Sequence, residues 1–251
     1  MKHLISLLGI VGLTTTVVTP VVSVNQENNL TANINDENYI NYDKKQAMDF
    51  TDYAIFQLGS SVEQTDVTTK LNLIRLAYPS VSQAYEFLND VEHTSDIVQA
   101  KKLLLEGADY IDQAARQGNN DAMNNYSGKA IKVLSTALKY ISYNINDIRH
   151  QAMDFTDYAI FQLGSSVEQT DVTTKLNLIR LAYPSVSQAY EFLNDVEHTS
   201  DIVQAKKLLL EGADYIDQAA RQGNNDAMNN YSGKAIKVLS TALKYIGFSL
   251  L

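Results

Sequence analysis

The sequence predicts an all-α protein made of two identical tandem antiparallel helical bundles, each of four to five helices. Three observations carry this. Gln46 to Ile141 recur without substitution as Gln151 to Ile246, at an offset of 105 over 96 residues. Within each copy, apolar residues return every three or four positions, the spacing of a helix with one buried side. Only three prolines and eleven glycines interrupt the 251 residues. The repeat is much longer than the roughly 20–50 residue units of stacked solenoids, so each copy reads as a whole bundle. The expected division is leader 1–24, flexible Asn-rich spacer 25–41, copy one 42–146 and copy two 147–251.

In copy one, the first helix is expected from about Asp43 to Leu58, with Ala47, Phe50, Ala54 and Leu58 on one stripe and Gly59-Ser60-Ser61 ending it. A second runs from about Asp66 to Tyr78, with Val67, Leu71, Ile74 and Tyr78 in register and Pro79 as its stop. A third, capped by Ser80 or Ser82, reaches Val91. The next starts after Thr94-Ser95 and carries Ile97, Ala100, Leu104, Ala108, Ile111 and Ala115 as far as Gln117, before Gly118 breaks it. The last runs from about Asp121 to Ser142, where small residues at Ala130 and Ala137 allow a neighbour to come close. Copy two repeats this at +105.

Lys129 to Leu163 contain neither Gly nor Pro, which would permit one long rod across the junction. Asn144-Ile145-Asn146-Asp147 favours a break near Asn146, because Asn and Asp suit caps better than helix interiors.

Ahead of the repeat, Lys2 and His3 precede an apolar run from Leu4 to Leu13, then Thr14 to Thr16, more valines and Pro20. This is the order of a secretory signal, and cleavage near Ser23 or Val24 is expected. The alternative is an uncleaved membrane tether, since Leu4 to Val24 has the length to span a bilayer. The segment ends Val21-Val22-Ser23-Val24-Asn25. It resembles the leaders of exported proteins and lipoproteins of spiroplasmas, wall-less bacteria of arthropods and plants. In those leaders a lipidated cysteine stands where this chain has Val24. The resemblance covers about a tenth of the chain and implies export, release rather than anchoring, and a host-facing life. It implies no activity. Asn25 to Asn38 are rich in Asn without apolar periodicity, hence the spacer.

Composition narrows the chemistry. Net charge is -9, from 20 Lys+Arg against 29 Asp+Glu, which argues against nucleic acid as a partner. Each copy holds 12 acidic and 8 basic residues, so the charge belongs to the bundles. The absence of cysteine removes disulfides, thiolate metal sites and a thiol nucleophile. No nucleophile elbow, HExxH, P-loop or GxGxxG occurs. Asp90, Glu92, His93 and Asp96 cluster in one loop, repeated as Asp195, Glu197, His198 and Asp201, but they lack the oxygen spacing of an ordered cation loop. Capping and solvation explain them. Gly118-Asn119-Asn120-Asp121, and the carboxylates Glu106, Asp109 and Asp112, read the same way.

Tyrosine is the remaining signal, six per copy. Most fall on apolar stripes and are expected to pack. Tyr53 and Tyr110, with Tyr158 and Tyr215, are left outside the stripes and are the candidate binding residues, because Tyr is enriched at recognition hot spots. The expected function is that of an exported, non-enzymatic binding protein with two identical modules, its partner a protein or glycan on a host or cell surface. No cofactor or metal is expected. The alternatives are a self-associating surface protein and, behind it, a secreted toxin or enzyme working in a helical groove. Identical copies also permit homo-oligomers or domain swapping.

Overall fold

The computed structural model describes residues 36–141, 148–196 and 198–248. All of their regular structure is helical: α1 (Asp36–Glu63), α2 (Val67–Phe87), α3 (Ser95–Ala115), α4 (Asn120–Ile141), α5 (Ile148–Glu168), α6 (Val172–Phe192), α7 (Ser200–Ala220) and α8 (Asn225–Phe248). The leader, most of the spacer and the expected break near Asn146 lie outside the described residues. Among those described, no helix is long and apolar enough to cross a membrane.

Among the described residues each copy has four helices. The stop expected at Pro79 does not occur, and α2 continues through it to Phe87. A proline inside a helix leaves the carbonyl four residues earlier without its donor. Here Arg75 and Pro79 are both exposed, so that carbonyl lies on the water side. Ser80 and Val81, just beyond, are buried, and Ser82 Oγ donates to the Tyr78 carbonyl at 3.3 Å. Packing on both sides of the proline outweighs its local cost. Ser80 and Ser82 therefore cap nothing. Likewise Gly59 does not end α1, which runs to Glu63, and the spacer's last residues, from Asp36, already belong to it. Asp66 caps α2, accepting from Thr69 N at 2.7 Å, and Thr94 caps α3, accepting from Ile97 N at 3.3 Å.

In copy one the helices form an up-and-down ring, with α1 on α2, α2 on α3, α3 on α4 and α4 back on α1. Copy two repeats the ring with α5 to α8. The rings are joined along two further seams, α1 on α8 and α4 on α5. Thus α1, α4, α5 and α8 make a third, central ring, and one continuous apolar core runs through all three. The described residues form one compact unit. At the seams the helices are antiparallel: Ser240 Oγ donates to the Asp52 carbonyl at 2.7 Å, and Asn230 Nδ2 to the Glu63 carbonyl at 2.9 Å.

Glycine sets the closeness of the seams. A Cβ on Gly128 would stand 2.5 Å from the Gly164 carbonyl oxygen, and one on Gly233 would stand 2.6 Å from that of Gly59. The backbones touch there with no side chain between them. Ala130 and Ala137 are fully buried, as small residues on a packed face should be.

Candidate functional site

The two seams also place side chains from opposite copies side by side on the surface. On α5, Tyr158 is 45% exposed and stacks on Phe161 at 6.3 Å. Lys132 of α4 lies over that Phe161 ring at 5.3 Å and pairs with Glu168 at 3.1 Å. One turn earlier on α4, Lys129 lies over Tyr126 at 4.8 Å and over Tyr110 of α3 at 5.8 Å. Glu168 is near enough for its charge to act on the Tyr110 phenol. The result is a band of aromatic rings and ammonium groups running from Tyr110 in copy one to Tyr158 in copy two. The other seam builds the same band from Tyr215 to Tyr53: Tyr53 stacks on Phe56 at 6.3 Å, Lys237 lies over Phe56 at 5.4 Å, and Lys234 lies over Tyr231 and Tyr215 at 4.8 and 5.9 Å.

The four candidate tyrosines therefore divide. Tyr53 and Tyr158 are the exposed ends, at 51% and 45%. Tyr110 and Tyr215 are half-buried. Burial, then the Glu106 carboxylate, which is also hydrogen-bonded to it, push the Tyr110 phenol above its ordinary range; Glu211 does the same for Tyr215. These two are correspondingly less exposed than their place outside the apolar stripe suggested, because α4 supplies Lys129 over Tyr110 and α8 supplies Lys234 over Tyr215. The sequence places Tyr110 and Tyr158 48 positions apart and in different copies. No spacing rule joins them, so the band is visible only once the seam is formed.

A second apolar feature lies on the outer helices. A cleft of about 140 Å³ between α6 and α7 is lined by Tyr183, Val186, Tyr190 and Leu210, among others. It is well below the size of a pocket that encloses a metabolite. Leu210 and Val203, two turns apart on α7, are exposed on one side. Lys206 lies over Tyr190 at 4.9 Å. Sequence reading passed over Val203, Lys206 and Leu210 because they fall beside the main stripe of their helix.

The acidic loop carries no assembled site. Asp90, Glu92 and His93 are exposed, and among the described residues no group of three or more His, Asp or Glu is placed to hold a metal. Asp112 pairs with Arg116 at 2.6 Å one turn along the same helix. Asn119 Oδ1 accepts from Ala122 N at 2.8 Å, and Asn120 Nδ2 donates to the Thr65 carbonyl at 2.8 Å, so the Gly-Asn-Asn-Asp segment caps and ties α4.

The interior holds ionisable groups that the sequence did not single out. Lys70 is almost fully buried, and its Nζ donates to Asn124 Oδ1 at 2.6 Å. Burial lowers its pKa to about 8, against the opposing pull of Asp226 and Asp121. Lys175 and Asn229 repeat the arrangement, also at 2.6 Å. Asp52 and Asp157 lie in the central ring, and burial raises both carboxyls well above the usual range. The chain matches no family model, no curated protein and no solved structure.

Proposed function

We propose that this chain is an exported, non-enzymatic binding protein that engages a protein or glycan on a host or cell surface through two identical bands. One observation supports this most: twice, a candidate tyrosine of one copy and a candidate tyrosine of the other end the same band, joined where a Lys of one copy lies over a Phe of the other. Rigid aromatic rings with a polar tip give large contact area at small entropic cost. Two equal sites on one compact body raise avidity without new contacts, provided the partner is displayed at matching density. The leader resemblance supplies the reading of export.

Binding of fluorescent mature protein to cultured arthropod cells and to a glycan array tests this. Tyr158→Ser removes the exposed end of one band, and Tyr53→Ser with Tyr158→Ser removes both. The single variant is expected to bind cells or glycan at least about tenfold more weakly, and the double variant to lose retention. Equal binding by all three proteins, or no binding by the unaltered one, overturns the reading. Export is tested separately by the N-terminal residue of protein recovered from medium, expected near Asn25.

A further inference from the structure

We infer that each copy of the repeat is a homodimerisation unit: the partner its inner face fits is a second copy of itself, and this chain is such a dimer joined end to end. The seam contacts have the form that a closed two-fold pair requires, in which residue i meets j and the equivalent j meets i. Ser135 of copy one donates to the Asp157 carbonyl of copy two at 2.8 Å, and Ser240 of copy two returns the bond to Asp52 of copy one at 2.7 Å. Asn125 to the Glu168 carbonyl and Asn230 to the Glu63 carbonyl are both 2.9 Å. Lys132 to Glu168 and Lys237 to Glu63 are 3.1 and 3.0 Å. The glycine crossings agree within 0.1 Å, at 2.5 and 2.6 Å.

None of these contacts distinguishes copy one from copy two, because all the residues making them lie inside the identical stretch. A surface that pairs with copy two on its own chain therefore pairs equally with copy one of another chain. Pairing is also strongly favoured over separation. Parted halves would present Ile131 and Ile236, both fully buried at the crossings, together with backbone brought within touching distance. The surface bands belong to the pair as well, since in each a Lys of one half lies over a Phe of the other. A lone repeat has all the residues of the band and cannot bring its Lys over its Phe. This inference does not depend on what the bands bind, because its readout is mass.

The test begins from the full chain. Residues 142–147 are replaced by a protease recognition sequence, and the folded protein is cut there. Light scattering and native mass spectrometry are expected to give the intact mass, with the helical circular dichroism retained. When isotope-labelled and unlabelled cut proteins are mixed, the labels are expected to scramble and like pairs of copy one with copy one to appear. Folded half-mass monomers, unfolded halves, or pairing restricted to copy one with copy two would each overturn the inference. Gly128→Ala with Gly233→Ala, in the cut protein, is expected to weaken pairing at least about tenfold on dilution. Unchanged pairing would overturn the assignment of the surface.

Discussion

Asp52 and Asp157 occupy the same place on α1 and α5, and each is buried with its Oδ1 accepting no hydrogen bond. The charge of Asp157 adds to burial in raising the Asp52 carboxyl. Asp49 raises it further and Lys244 opposes. At Asp157, Lys139 opposes and Asp154 adds. The central ring thus contains two acids that favour the protonated form.

A carboxyl raised on folding contributes stability that is complete below the unfolded pKa and is lost as pH rises through the folded value. The fold is therefore expected to lose stability from mildly acidic toward neutral pH through these two groups. Asp52→Asn with Asp157→Asn removes that slope and, at neutral pH, stabilises by about 1–3 kcal/mol. Thermal melts at several pH values check this. An unchanged slope in the double variant would contradict it.

Lys70 and Lys175 carry the opposite sign. With pKa lowered to about 8, each contributes stability that is present above the unfolded lysine value and is lost as pH falls through about 8. Among the described residues neither has a carboxylate at ion-pair distance; each has only its asparagine. Replacing a buried charge together with its polar partner by apolar residues is often stabilising by ~1–4 kcal/mol. Lys70→Met with Asn124→Leu is expected to raise the urea midpoint at pH 7 and to leave it unchanged at pH 10.5. The midpoints at the two pH values check the sign.

Gly128 and Gly118 should respond differently to alanine. Gly128 faces the Gly164 backbone, which cannot move aside like a side chain, while nothing lies within 4 Å of a Cβ on Gly118. Gly128→Ala is expected to cost about 1–3 kcal/mol, and Gly118→Ala less than about 0.5. Chemical denaturation of the two variants gives the comparison directly.

Pro79 lies exposed inside α2, and Pro184 inside α6. Alanine restores the missing helical donor without disturbing the core. Pro79→Ala with Pro184→Ala should stabilise by about 1–3 kcal/mol per site and leave the helical content unchanged. A fall in melting temperature would show that the proline ring packs in a way its exposure does not suggest.

The sequence made the helices and the repeat legible because the signal there is local. Apolar spacing, the helix starts near Asp66 and Thr94, and identity at offset 105 need no tertiary information. Pro79 misled because a local breaker was overruled by burial on both sides of it. Asp52 was passed over for a different reason. α1 packs on α2, α4 and α8, so it buries more than one face, and polar residues beside the stripe go inside with it. The candidate tyrosines were legible as residues outside the stripe. Their partners were not, because Lys132 and Phe161 belong to different copies.

The mirrored seam has a genetic consequence. In a single-copy gene, one codon change at Gly128 would alter both crossings at once. In the tandem gene, position 128 and position 233 are separate codons. One recognition face can therefore be rewritten while its twin is left intact, which turns a symmetric scaffold into one open to two specificities.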